Sequence, residues 1–274
     1  MMDHTAIAEI QKSITTGRLN DELAELKLIS VPLIARPKEF DIQSLEQYMP
    51  APTRQRGAIF TTSVNDFVQF TLDNKQEDAT ICLIDAEAMK ANARLNHGTS
   101  DSPGFSDHSI TLALKETPDY VELQKINGSK KSQRDLAEWV EEYVDNLTFL
   151  SADGTEIPST KAFTAIRNVK EKAVQESENK ISNFEESRGV LASASMTTDN
   201  MPAYIQMNIT AYPDLEDRVF NMRVSYHKDS GSFSLRVIKL TQIQDEMAVE
   251  FADLVRGKLD GISVYIGRTD RDRY

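Results

Sequence analysis

A chain of 274 residues, 40% hydrophobic and 27% charged, is long enough to bury a substantial core. No run approaches the roughly 20 apolar residues of a membrane span, and "MMDHTAIAEIQKSITTGRLNDELAEL" lacks the apolar core of a secretory leader. The net charge of −12 argues against a large electrostatic footprint on DNA or an anionic membrane, though it leaves room for a local basic groove.

In chain order, Ile7, Ile10 and Ile14 predict a short helix over 5–15. "LKLISVPLIA" (26–35) predicts a strand interrupted at Pro32, and "DIQSLEQYM" a helical turn with Asp41 as cap. "GAIF" reads as a strand. "SVNDFVQFTLDN" reads as a helix with Ser63 as N-cap and Val64, Phe67 and Phe70 on one face. "ATICLID" is a buried strand. "AMKANARLN" and "SITLAL" are strands joined by a long polar loop, an extended hairpin.

Thr117 and Pro118 open a helix over "TPDYVELQKI", which "NGS" stops. From Ser132, the residues Leu136, Trp139, Val140, Tyr143, Val144 and Leu147 keep helical spacing and predict a helix over 132–147. "LSADGTEIPST" (150–160) reads as a linker, and periodicity leaves 161–196 ambiguous. "AYIQMNITAY", "RVFNMRVSYH" and "SFSLRVIKL" are strands, the last two joined by the hairpin loop "KDSGS". A helix over 241–256 follows, capped by Thr241 and ended by Gly257, and "GISVYIG" closes as a strand. The fold class read from this order is α+β. A mixed sheet with packed helices occupies 1–150, and a mainly antiparallel sheet crossed by one helix occupies 151–274.

The single cysteine, Cys82, lies in the apolar run "TICLIDA", which predicts a buried, inert thiol and excludes an internal disulfide. Walker, dinucleotide-glycine, HExxH and G-x-S-x-G patterns are absent, so no catalytic residue and no cofactor is assigned. Three constellations remain. Asp135, Glu138, Glu141, Glu142 and Asp145 share the polar side of the 132–147 helix, as a solvated face or as a docking surface for a basic partner. Arg54, Arg56, Lys130, Lys131 and Arg134 fall in two basic loops able to touch phosphate, without interleaved aromatics. His97, Asp101, Asp107 and His108 in "NHGTSDSPGFSDHS" offer zinc or manganese ligands if the loop folds back. The plainer reading of that loop is a polar turn that a hydrogen-bonded His108 fixes to the sheet.

The stretches "ICLIDAEAMKANARLNHG", "PGFSDHSITLALKETPDYVELQKING" and "SQRDLAEWVEEYVDNL" resemble the YfdQ-like family of phage and prophage proteins. So do "MPAYIQMNITAYPDL", "RVFNMRVSYH" and "LRVIKLTQIQDEMAVEFADLV". The resemblance implies a product of phage accessory regions, in the cytoplasm of a host bacterium, and carries no catalytic residue. With the acidity, it yields the leading expectation: a non-catalytic accessory protein binding a host or phage protein, such as a nuclease or defence complex. A homo-oligomer is compatible with it. The alternatives are a DNA-contacting recombination accessory and a metal-dependent hydrolase using the 97–108 loop.

Overall fold

Three helices begin where a hydroxyl accepts a hydrogen bond from a backbone N–H three residues on. In the computed structural model, Ser63 accepts from Asp66, Thr117 from Tyr120 and Ser132 from Asp135. The structure describes residues 4–25, 33–35, 42–168, 200–227 and 230–268. The chain divides into two compact units, 1–58 and 59–274.

In the first unit, helix α1 (His4–Glu25) runs ten residues beyond its predicted end, and Ile14, expected on an apolar face, is exposed. Strands β1 (Leu33–Ala35) and β2 (Ile42–Ser44) pair antiparallel. Part of the strand expected over 26–35, and Asp41, lie outside the described residues. The helical turn expected from 41 to 49 is instead strand β2 followed by a 3-10 turn, Glu46–Tyr48, with no side-chain cap. Pairing with β1 claims the backbone groups that a helix would have used.

The second unit begins with β3 (Gly57–Thr61), across the unit boundary, and α2 (Val64–Asn74). Strands β4 (Ile81–Asp85), β5 (Lys90–Arg94) and β6 (His108–Ala113) form the expected hairpins. Helix α3 is Pro118–Ile126. Next come β7 (Lys130–Ser132), α4 (Gln133–Glu142), a 3-10 turn (Val144–Asn146), β8 (Leu147–Leu150) and β9 (Glu156–Ile157). Residues 159–168 are helical (α5). Three strands follow, β10 (Tyr204–Thr210), β11 (Asp217–His227) and β12 (Ser232–Val237), then α6 (Leu240–Lys258) and β13 (Ser263–Ile266).

The fold is α+β. One sheet has the order β13-β4-β5-β6-β3 and is mixed, because β13 runs parallel to β4. The other, β7-β12-β11-β10-β8-β9, is antiparallel throughout. Phe67, Ile84, Leu112, Tyr120, Trp139, Phe149, Phe220 and Phe251 belong to one continuous buried cluster that joins both sheets to their helices.

Several expectations are corrected. The chain does not divide at 150–160: β7 and β8 share a sheet with β10–β12, and β13 joins β4. The supposed linker is a tight hairpin, in which Ser151 N–H donates to the Thr155 carbonyl at 2.9 Å and β9 pairs with β8. The 132–147 helix stops at Glu142, because Leu147 and Phe149 bury as alternate residues of β8 rather than as helix positions. Thr241 lies inside α6, whose N-cap is Lys239 in the left-handed region (φ 55°) without a side-chain cap bond. Gly257 sits in the last turn of α6, which ends at Lys258. Of the ambiguous 161–196 stretch, 169–196 lies outside the described residues.

Both large sheets draw strands from each side of residue 150. Residues 1–150 expressed alone should therefore show no cooperative thermal transition by circular dichroism. Residues 59–274 should keep one.

Candidate functional site

The acidic stripe is largely engaged by its own neighbours. Asp135 and Ser132 form a capping box, each side chain accepting from the other's backbone N–H at 3.3 and 3.1 Å. Arg134 pairs with Glu138 at 2.7 Å and Arg167 with Glu141 at 3.3 Å. Both ion pairs are exposed and contribute little to stability, but they neutralise two carboxylates. Glu142 and Asp145 have no ion-pair partner among the described residues, and Asp145 lies in the 3-10 turn rather than on the helix.

The loop between β5 and β6 folds back on itself. Asn96 holds it: its side-chain amide donates to Asp107 at 2.8 Å, and its side-chain oxygen accepts from His108 N–H at 3.0 Å. His97 Nδ1 lies 2.9 Å from the Ser106 hydroxyl, and Asp101 sits at the exposed tip. Among the described residues no group of three or more His, Cys, Asp or Glu side chains could hold a metal ion. His108 is buried, but its ring does not anchor the loop by a hydrogen bond. It packs edge-on against Phe70 at 6.1 Å, and neither ring nitrogen has a partner among the described residues. Gly98 (φ +81°) and Gly104 let the two arms touch: a Cβ at Gly104 would lie 2.1 Å from the Asn96 carbonyl.

Cys82 is fully buried on β4, and burial pushes its thiol up to about 12. A cavity of about 220 Å³ lies among Met89, Tyr120, Tyr212 and Met247, with Glu87 and Asp245 at its exposed rim. The Tyr212 hydroxyl donates to Glu116 at 3.2 Å; burial first, and then that carboxylate, hold it above the ordinary phenol range. The lining contains no histidine, cysteine, serine or lysine.

Arg54 and Arg56 belong to the first unit, where Arg56 pairs with Glu46. That pairing and two hydrogen bonds from Thr53 hold the Glu46 carboxyl below its ordinary value against the opposing effect of desolvation, the largest single influence on it. Lys130 and Lys131 are not in a loop: they sit on β7 and therefore point to opposite faces of the six-stranded sheet. Arg134 is taken by Glu138.

Lys130 leads to the surface where cations do gather. Strand alternation turns Ile205, Met207, Phe220, Met222, Leu235 and Val237 toward the core beneath α3 and α4. The opposite face carries the other parity. Register places Leu150, Tyr204, Arg223 and Arg236 side by side across β8, β10, β11 and β12. One step along, Ser225, Ser234 and Lys130 stand in line across β11, β12 and β7. Arg223, Arg236 and Lys130 are exposed, and none has an ion-pair partner among the described residues. Polar neighbours are tied to one another: Gln206 donates to Asn221 at 2.6 Å, and His227 Nε2 lies 2.9 Å from the Ser234 hydroxyl. Of the carboxylates on this face among the described residues, Glu156 ends the same row on the edge strand β9, two strands from Tyr204, and Asp217 lies at the far end of β11, where it accepts from Thr210.

Residues 4–269 match the model of a family described as an uncharacterized conserved protein, DUF2303. The chain belongs to this family. No curated protein and no solved structure matches it.

In this DUF2303 chain the cationic face is legible in the sequence through strand alternation rather than through any motif. Two-residue alternation in "RVFNMRVSYH" and "SFSLRVIKL" puts Arg223 and Arg236 on the polar side of their strands. Counting back from the "KDSGS" turn, where His227 faces Ser232, brings the two arginines opposite each other.

Two outcomes check this geometry. Gly104→Ala should destabilise the protein by about 1–3 kcal/mol in thermal or denaturant melts, because a Cβ meets backbone there. Cys82 should resist a thiol-reactive disulfide reagent in the native protein and release one equivalent only in denaturant.

Proposed function

We propose that this protein is a non-catalytic accessory factor that contacts nucleic acid through the outer face of its six-stranded sheet. The YfdQ-like resemblance supports a phage or prophage origin and action in the bacterial cytoplasm as parts of the same proposal. Among the described residues no helix is long and apolar enough to cross a membrane.

The observation that carries the reading is the facing pair Arg223 and Arg236 with Lys130 beside it, without carboxylate partners among the described residues. Like charges directly opposite on neighbouring strands destabilise a sheet. A phosphate backbone reverses that sign by placing an anion against both guanidiniums. The net charge of −12 does not oppose this locally, because the acids of α4 lie on the helix-covered side of the same sheet. Docking of a basic host or phage protein on α4 has less support, since Asp135, Glu138 and Glu141 are already engaged.

The test is fluorescence anisotropy with a labelled oligonucleotide of about 20 nucleotides, titrated over a range of salt. Three phosphate contacts predict a slope of log K against log salt near about −2 on a single strand, and removal of each cation should flatten it by about 0.7. Replacing Lys130, Arg223 and Arg236 together by Glu should abolish binding, while Glu138→Gln with Glu141→Gln should leave it nearly unchanged. No binding at about 50 mM salt, or full binding by the triple variant, ends the proposal.

A further inference from the structure

We infer that the sheet face selects unpaired nucleic acid over duplex, with Tyr204 as the surface on which a base stacks; this rests on the reading above. The argument begins from register. Tyr204 stands directly beside Arg223, and Arg223 beside Arg236, on three adjacent strands. Neighbouring strands lie about 4.8 Å apart, so the line from Tyr204 on β10 to Lys130 on β7 crosses about 14 Å. That span accommodates a short stretch of one strand, with a base at the β10 end and phosphates toward β12 and β7.

The shape of the face favours the same ligand. Duplex DNA is read by a helix or ribbon that enters a groove. Here the residues between the cations are small, Ser225 and Ser234 across β11 and β12, and present no protrusion to enter one. An antiparallel sheet face with an aromatic next to guanidiniums is suited to splayed bases, whose π-faces a duplex keeps stacked inside. Tyr204 is half-buried, with Leu150 and Arg223 as its cross-strand neighbours, and a partly packed side chain has less freedom to lose when a base covers it. Beside it, the Gln206–Asn221 hydrogen bond fixes two amides whose remaining groups can meet a base edge. Such contacts tolerate many sequences, because every base has a π-face.

The experiment compares one labelled mixed sequence as single-stranded DNA, single-stranded RNA and duplex DNA, at one salt concentration, by anisotropy. Wild-type protein should bind at least one single strand about tenfold or more tighter than duplex, and the two single-stranded arms decide between DNA and RNA. Tyr204→Leu should weaken single-strand binding by about 5- to 100-fold and leave the salt slope unchanged, while Tyr204→Phe should bind like wild type. Melting curves of the variants check folding, and the wild-type comparison stands even if Tyr204→Leu unfolds. Equal affinity for duplex and single strand, or undiminished binding by a folded Tyr204→Leu protein, overturns the inference while leaving phosphate contact intact. Absence of binding to all three probes removes the parent reading and this one with it.

Discussion

The pairing of Leu147–Leu150 with Tyr204–Met207 fixes the rest of the large unit. These strands are more than fifty residues apart, so their union closes a long loop, with an entropic cost that grows only logarithmically with length. Burial repays it: Leu147, Phe149, Ile205 and Met207 all leave water, each worth about 1.5–3 kcal/mol. A slip of β10 by one residue against β8 would turn Ile205 and Met207 outward and bring Tyr204 and Gln206 into the core. The same register that buries the apolar set therefore aligns Tyr204 with Arg223 and, through β11, with Arg236. Core formation and the outer row are two consequences of one alignment.

The chain's acidity and its cationic sheet face coexist because the sheet separates them. Helix α4 lies on the apolar side of the sheet, through Leu136, Trp139 and Val140, and turns its carboxylates away from it. A helix is about 10–12 Å across with its side chains, and the Debye length at physiological salt is about 8 Å. An anion at Arg223 is therefore screened from the stripe on α4. Two of the acids there are neutralised in any case, by Arg134 and Arg167. Net charge describes long-range behaviour of the molecule, whereas the sign at a contact is set within a few ångströms.

Sequence patterning recovered the elements whose burial follows a single period. Helix α3, with Thr117 and Pro118 at its start, and the β5–β6 hairpin are examples. It failed where two periods meet. The apolar positions of α4 continue in phase through Tyr143, Val144 and Leu147, although the chain has already left the helix at Glu142. Leu147 satisfies both a helical and a two-residue repeat, and only its pairing with Met207 decides between them. "SADGT" looks like a linker because turn residues are the same in a tight hairpin and in a connection between domains. Lys130 and Lys131 read as a loop because a three-residue edge strand has no pattern of its own; β12 supplies it. The Asn96 clamp, and the glycine contact it closes on, depend on two loop arms meeting, which no local pattern encodes.

The facing arginines also bear on how stability and binding are divided. Cross-strand pairs shift stability by about 0.2–1 kcal/mol, whereas each large side chain on the buried face contributes about 1.5–3 kcal/mol. The core can therefore carry a repulsive pair outside with little loss, and selection for stability acts only weakly on Arg223 and Arg236. An anion seated between them converts that repulsion into attraction in the folded state alone, since the unfolded chain does not hold the two residues opposite each other. Binding and folding are then thermodynamically linked: a ligand that favours the native register raises the resistance of the whole sheet to unfolding by RT times the logarithm of one plus the ratio of its free concentration to its Kd. A face that is slightly frustrated when empty is in this way better suited to a ligand than one whose charges are already satisfied, as those of α4 largely are.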